Sequence, residues 1–290
     1  MLPNRQACRL LQSFHKVQRI QCATKFWERD RRAGYDTRPV ALQLREQLKS
    51  GAKLWKPEIQ KFAQECKEKF ASDFIFDLQD GDYEVVWKFD NSESTKDWIV
   101  TADSDFGEGK SNAQFILGRN KNGVFEGYLN TDVPKDGQIK RAGYAAIKSP
   151  LNFKSFKRKI SYDWSRYTHL LVRCRGDGRA YQFIAHMDRY FDLNWHDNYS
   201  YALFTRGGPY WQTAMIPFSK FYLSHRGRIQ DKQETLVNQL NRISHVTITC
   251  SDDCPGPFQL EIDYIGLVHD ESHKETFAYE MYKVSPYVHD

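Results

Sequence analysis

From Glu84 onward, apolar and polar residues alternate with period two in a succession of short runs. These are EVVWKF (84–89), DWIVTA (97–102), AQFILG (113–118), VFEGYL (124–129), GYAAIK (143–148) and HLLVRC (169–174). They continue with YQFIAHM (181–187), YALFTR (201–206), WQTAMIPF (211–218), HVTITC (245–250) and FQLEIDYIGLV (258–268). In the last run Leu260, Ile262 and Tyr264 alternate with Glu261 and Asp263, which predicts a strand with one buried face. Turn signals separate the runs: Lys121-Asn122-Gly123, Lys135-Asp136-Gly137, Gly176-Asp177-Gly178 and Gly207-Gly208-Pro209. Many short strands without helices between them predict an all-β sandwich and argue against a parallel α/β sheet.

Upstream the period changes. Leu44 and Leu48 lie on one face of a first predicted helix, and Gly51 and Pro57 mark its end. A second helix after Pro57 places Ile59, Phe62, Ala63, Cys66 and Phe70 on one face, with lysine and glutamate opposite. These helices either pack on the body or form an arm that docks a partner. One late helix is predicted as well, with a capping box from Asp231 to Glu234 and an apolar face of Leu236, Val237, Leu240 and Ile243.

Charge matters only through its position. The chain of 290 residues carries +5, and residues 1–27 hold Arg5, Arg9, Lys16, Arg19 and Lys25 with no acid. The remainder is balanced, so a nucleic-acid partner is not expected. Leu10, Leu11, Phe14 and Val17 share one helical face in that basic segment, the description of a mitochondrial presequence. No run approaches the roughly 18 consecutive apolar residues of a membrane-spanning helix, so any membrane relation is peripheral or through a partner. The expected organisation is a presequence (1–27), a helical extension (28–80), a β-sandwich (81–270) and a C-terminal tail (271–290). Of six cysteines, Cys250 and Cys254 are a lone pair, weak as a zinc signal, and reduced thiols are the default.

Candidate chemistry is sparse. Gly109-Lys110-Ser111 ends like a phosphate-binding loop, but Ser104 stands where that motif needs glycine, and a strand follows where a helix is required. His186, Asp188, Asp192, His196 and Asp197 crowd a segment with Tyr190, Phe191 and Trp195. Such a mixture suits a contact surface, a structural loop, or a metal or acid–base site; no metal-binding motif or nucleophile accompanies it. No cofactor is expected. Glu261 and Asp263 read as a solvated strand face. The candidate partner-binding residues are Tyr190, Phe191, Trp195, Tyr210 and Trp211, although Trp211 opens a strand and is also a core candidate.

Four segments together resemble the complex I intermediate-associated protein 30 family: WKFDNSESTKDWIVTADSDFGEGKS (87–111), FEGYLN (125–130), RGGPYWQTAMIPFSKF (206–221) and FQLEIDYIGLV (258–268). Gly107, Gly109 and Ser111 keep the family's glycine-rich turn. The resemblance implies a galactose-binding-like jelly-roll sandwich and a non-catalytic role in assembling mitochondrial respiratory complex I. It implies protein–protein contacts that stabilise membrane-arm intermediates on the matrix side of the inner membrane. The implied partners are complex I subunits and other assembly factors, ECSIT and an acyl-CoA dehydrogenase paralogue among them. The alternatives are a carbohydrate- or small-ligand-binding module, and a hydrolase using Asp188 and His186.

Overall fold

The structure is a computed structural model that describes residues 40–71, 78–135, 137, 139, 141–188, 197–225 and 227–279. It divides into two units between Lys69 and Phe70. The expected presequence lies outside the described residues.

The described residues of the first unit are helical. Helix α1 (Val40–Ala71) is one continuous helix of 32 residues that passes through Gly51 and Pro57, where two helices were expected. Pro57 removes one backbone N–H and so one hydrogen bond, a cost of about 3 kcal/mol within a helix. The helix formers on both sides keep their own bonds, and Gln64 to Glu68 (3.0 Å) adds a side-chain link one turn apart.

The second unit is the all-β sandwich that the alternation predicts. Its strands are β1 (Tyr83–Lys88), β2 (Ile99–Ala102), β3 (Asn112–Leu117), β4 (Gly123–Leu129) and β5 (Ala145–Lys148). There follow β6 (Phe153–Lys154), β7 (Arg158–Lys159), β8 (His169–Gly176), β9 (Ala180–Met187) and β10 (Asp197–Phe204). The last are β11 (Gln212–Pro217), β12 (Tyr222–His225), β13 (Arg228–Ile229), β14 (Ile243–Cys250) and β15 (Gly256–Val268). One sheet runs β11-β8-β15-β4-β3, with β1 also on β15; the other runs β13-β12-β10-β9-β14-β5-β2. Pairing is antiparallel throughout, so each strand sends alternate side chains inward. Phe125, Val172, Phe183, Tyr199, Ile248 and Ile262 meet in the core between the sheets with no measurable exposure.

Three elements depart from the expectation. In β15 the register against β8 shifts between Ile262 and Tyr264. Phe258, Leu260 and Ile262 face inward before this bulge and Ile265 and Leu267 after it, so Tyr264 leaves the core and Ile265 takes its place. Residues 236–242 form a 3-10 helix, and its cap is Thr235, whose hydroxyl accepts from Val237 N (3.2 Å); Asp231 and Glu234 do not cap it. A short helix, α2 (Ser92–Lys96), also precedes β2, capped by the Asn91 side chain, which accepts from Glu93 N (3.0 Å) and Ser94 N (2.8 Å).

The glycine-rich turn before β3 is organised around a buried carboxylate. Asp103 has no exposure and accepts from Ser111 N (2.7 Å), Ser111 Oγ (3.0 Å) and Gly143 N (2.7 Å). Gly109 passes so close that a Cβ there would sit 2.0 Å from Asp103 Oδ2. Ser111 Oγ in turn accepts from Asn130 N (3.0 Å), joining the turn to the end of β4. Removing Asp103 strands three buried donors, whereas removing the Ser111 hydroxyl strands fewer. Asp103→Ala is therefore expected to lower the unfolding free energy by about 3 kcal/mol and Ser111→Ala by about 1 kcal/mol. Urea denaturation measures both; an equal loss in the two variants contradicts a carboxylate-centred turn.

Candidate interaction surface

The outward positions of the first sheet build a platform. On β8 these are Arg173 and Arg175, and on β15 they are Gln259, Glu261 and Asp263, brought side by side by the β8–β15 register. Arg175 Nη2 donates to both oxygens of Glu261 at 2.6 Å, and Asn122 Nδ2 donates to the same carboxylate at 2.5 Å. Arg173 Nε lies 3.4 Å from Asp263. Trp211 enters from the segment before β11. Both guanidiniums lie over its indole, Arg173 at 5.8 Å and Arg175 at 5.3 Å from the ring centre. Arg175 Nη1 also donates to Pro209 O (3.3 Å), tying the Gly207-Gly208-Pro209 turn to the sheet.

This changes the reading of two sequence features. Trp211 is half-buried on the outer face and does not enter the core. Glu261 and Asp263 are held in ion pairs; the Glu261 side chain is only 14% exposed, so the expected solvated face is a charge network. The pairing of β8 with both β11 and β15 creates it, and no local spacing announces that pairing. A usable signal was present in Arg173 and Arg175, two residues apart, although the predicted run ended at Cys174 and the strand continues to Gly176.

Around the platform the apolar surface is open. Tyr210 is 78% exposed and Phe204, at the end of β10, 76%. Gln212 holds the corner together, its Oε1 accepting from Arg206 N (2.9 Å) and its Nε2 donating to Phe204 O (3.5 Å). At the other end of the same face lies an open groove of about 620 Å³ lined by Asn112, Gln114, Glu126, Asp177, Phe258 and Gln259, among others. Tyr190, Phe191 and Trp195 lie outside the described residues, as do Asp192 and His196.

Of the metal or acid–base cluster that the sequence suggested, Asp188 and His186 each have other partners. Asp188 pairs with Lys159 (2.9 Å). His186 stacks on His245, with ring centres 4.1 Å apart and planes at 13°, and shares a hydrogen bond with Thr247 Oγ1 (2.9 Å). Burial, with Lys148 nearby, pushes His186 down to about 4. Burial, His186, Lys148 and Lys159 push His245 down to about 2. Both rings are thus neutral at physiological pH. Among the described residues no group of three or more His, Cys, Asp or Glu is placed to hold a metal ion. Cys66, Cys174, Cys250 and Cys254 are free thiols, and burial pushes Cys250 up to about 12. Lys110 lies in the turn ahead of a strand, so no helix amides are offered to a phosphate there.

The family model described as complex I intermediate-associated protein 30 matches residues 87–262, from the end of β1 into β15, and takes in the platform except Asp263. The chain belongs to the complex I intermediate-associated protein 30 family. A Drosophila melanogaster relative named "Complex I intermediate-associated protein 30, mitochondrial" is 46% identical over 265 residues, covering 91% of this chain and 89% of the relative. A Mus musculus relative of the same name is 44% identical, covering 68% of this chain and 59% of the relative. Among solved structures, a family 11 carbohydrate-binding module from Clostridium thermocellum, in complex with a mixed-linked tetrasaccharide, is 18% identical with a TM-score of 0.44. It covers 68% of this chain and 100% of the module.

Two measurements test the surface. Arg175→Ala leaves Glu261 a partly buried charge and takes one cation from Trp211, so the unfolding free energy falls by about 2 kcal/mol and tryptophan emission shifts red. Arg175→Lys recovers only part of it, because an ammonium does not lie flat over the indole; full recovery contradicts the stacked arrangement. The second concerns acid. The folded chain holds both imidazoles below their ordinary pKa, so under about pH 6.5 the unfolded chain binds more protons. Stability therefore rises with pH through that range and is lost on acidification, by up to about 1.4 kcal/mol per pH unit for each ring. A His186→Gln/His245→Gln variant is expected to have a visibly flatter slope between roughly pH 6.5 and 4 in denaturant titrations; an unchanged slope refutes the half-buried neutral pair.

Proposed function

We propose that this protein is a non-catalytic assembly factor for mitochondrial respiratory complex I, stabilising membrane-arm intermediates through protein–protein contacts. The observation that carries the proposal is family membership across nearly the whole sandwich, with a relative named for complex I intermediates 46% identical over 265 residues. The basic, acid-free segment 1–27 acts as the presequence, and the mature chain works on the matrix side of the inner membrane as a peripheral protein. Complex I subunits are its direct partners, with ECSIT and the acyl-CoA dehydrogenase paralogue as co-factors of assembly.

The physical side of the proposal is the corner at Tyr210 and Trp211. Interfaces concentrate binding energy in a few tryptophan, tyrosine and arginine side chains. Trp211 is already held by the two guanidiniums that lie over it, so docking against it costs little side-chain entropy. Tyr210 and Phe204 supply exposed rings beside it. Tyr190, Phe191 and Trp195 are proposed as further anchors.

A second reading, a module for carbohydrates or small ligands, has one observation in its favour, the polar groove on the same face. It ranks lower because the aromatic residue in the lining, Phe258, is only 3% exposed and offers no open ring face for a sugar to stack on.

The test uses a cell line lacking the protein. Membrane-arm intermediates of complex I are expected to stall or be degraded there, as seen on native gels, and normal complex I levels would sink the proposal. Re-expression of Tyr210→Ala/Trp211→Ala is expected to retain the fold by circular dichroism and to lose at least about 10-fold in co-purified complex I subunits. Undiminished recovery moves the contact surface elsewhere.

A further inference from the structure

The long helix α1 is more exposed on its apolar side than folding of a soluble helix requires. Trp55 is 65% exposed, Ile59 49%, Phe62 44% and Phe70 91%. With Cys66 they recur at intervals of four, three, four and four residues, all within an arc of about 80° at 100° per residue. The line of rings runs for some four turns, about 22 Å of a helix about 48 Å long. Lys56 and Lys67 lie together along one border of this arc, and the other border carries Lys69 together with Glu58 and Glu65. Over Val40–Ala71 the sequence has seven lysines and arginines and four glutamates, a net charge of +3.

We infer that α1 is a membrane-surface element that lies flat on an anionic phospholipid bilayer, Trp55, Ile59 and Phe70 entering the headgroup–acyl boundary. The helix is not apolar enough to cross a bilayer, so its exposed rings point to lying on one. The positive balance fits an anionic lipid surface. Lysines at the border of an apolar stripe bury their stems along it while the ammonium groups stay at headgroup level. A single narrow line of large side chains, among them tryptophan, is the pattern of interfacial helices. A protein groove could also accept i, i+4, i+7 anchors, and that occupant is the outcome that overturns the inference. The inference rests on the proposed function only in taking the inner membrane as the lipid surface; the binding itself is read on purified protein.

The experiment is flotation of the full chain with vesicles of phosphatidylcholine alone or with about 30% phosphatidylglycerol. Binding to the anionic vesicles is expected to exceed binding to neutral ones by at least about 10-fold and to fall steeply at about 0.5 M salt. Trp55→Glu/Ile59→Glu is expected to reduce it by a further factor of about 10 or more. Trp55→Gln/Ile59→Gln, which keeps good helix formers at both positions, does the same with helicity unchanged by circular dichroism. Lys56→Glu/Lys67→Glu removes the preference for anionic vesicles. All three variants keep residues 1–27 intact, so a loss reports on the helix and not on that basic segment. Equal binding to the two vesicle types, or wild-type binding by the Trp55/Ile59 variants, overturns the inference. So does an absence of vesicle binding alongside loss of protein co-purification in those variants, which makes a protein groove the occupant. Any of these results leaves the assembly reading to its own test in the null line.

Discussion

The phase of one strand governs both faces of the first sheet. β15 is 13 residues long and pairs with β8 along one side and with β4 and then β1 along the other. Its inward residues Phe258, Leu260 and Ile262 are fixed by the core, which leaves Gln259, Glu261 and Asp263 no choice but the outer face. The bulge after Ile262 then resets the phase so that Ile265 and Leu267 return to the core. Without that extra residue, the β1 end of the strand would turn its apolar side chains to water.

That constraint is what makes the platform rigid. Arg175 is anchored by a carboxylate whose position the core determines, and Trp211 is anchored by Arg175. Each outer contact is therefore referred back to a buried apolar one on the same strand. The arginines are largely neutralised by Glu261 and Asp263, so the surface offers a docking partner fixed rings more than free charge. The exposed rings next to it are those of Tyr210 and Phe204.

The strands were legible because each is a short alternating run bounded by turn residues, and a two-layer sandwich is the only economical way to bury so many half-apolar strands. Tyr264 was misplaced because alternation cannot show a bulge; the extra residue is visible only in the register with β8. Pro57 was read as a break since the sequence shows the lost hydrogen bond but not the helical turns on either side that outweigh it. At the site, Trp211 and Tyr210 stood out as aromatic residues beside a turn, yet their arginine supports did not. Arg175 is 86 positions from Glu261 and 36 from Trp211, and only strand pairing brings the three together.

The buried polar groups follow the same logic as the outer network, with the opposite solution. Asp103 keeps its carboxylate inside by surrounding it with two backbone N–H groups and a hydroxyl, so the glycine-rich turn exists to bring donors within reach. His186 and His245, half-buried on the outer face of the second sheet, remain uncharged, stacked against each other with Lys148 discouraging a proton. Neither arrangement leaves a buried group poised for chemistry: the carboxylate is fully engaged as an acceptor, and the imidazoles resist protonation across the physiological range. The side chains with capacity to spare are on the surface, in the rings at the Tyr210–Trp211 corner and along α1.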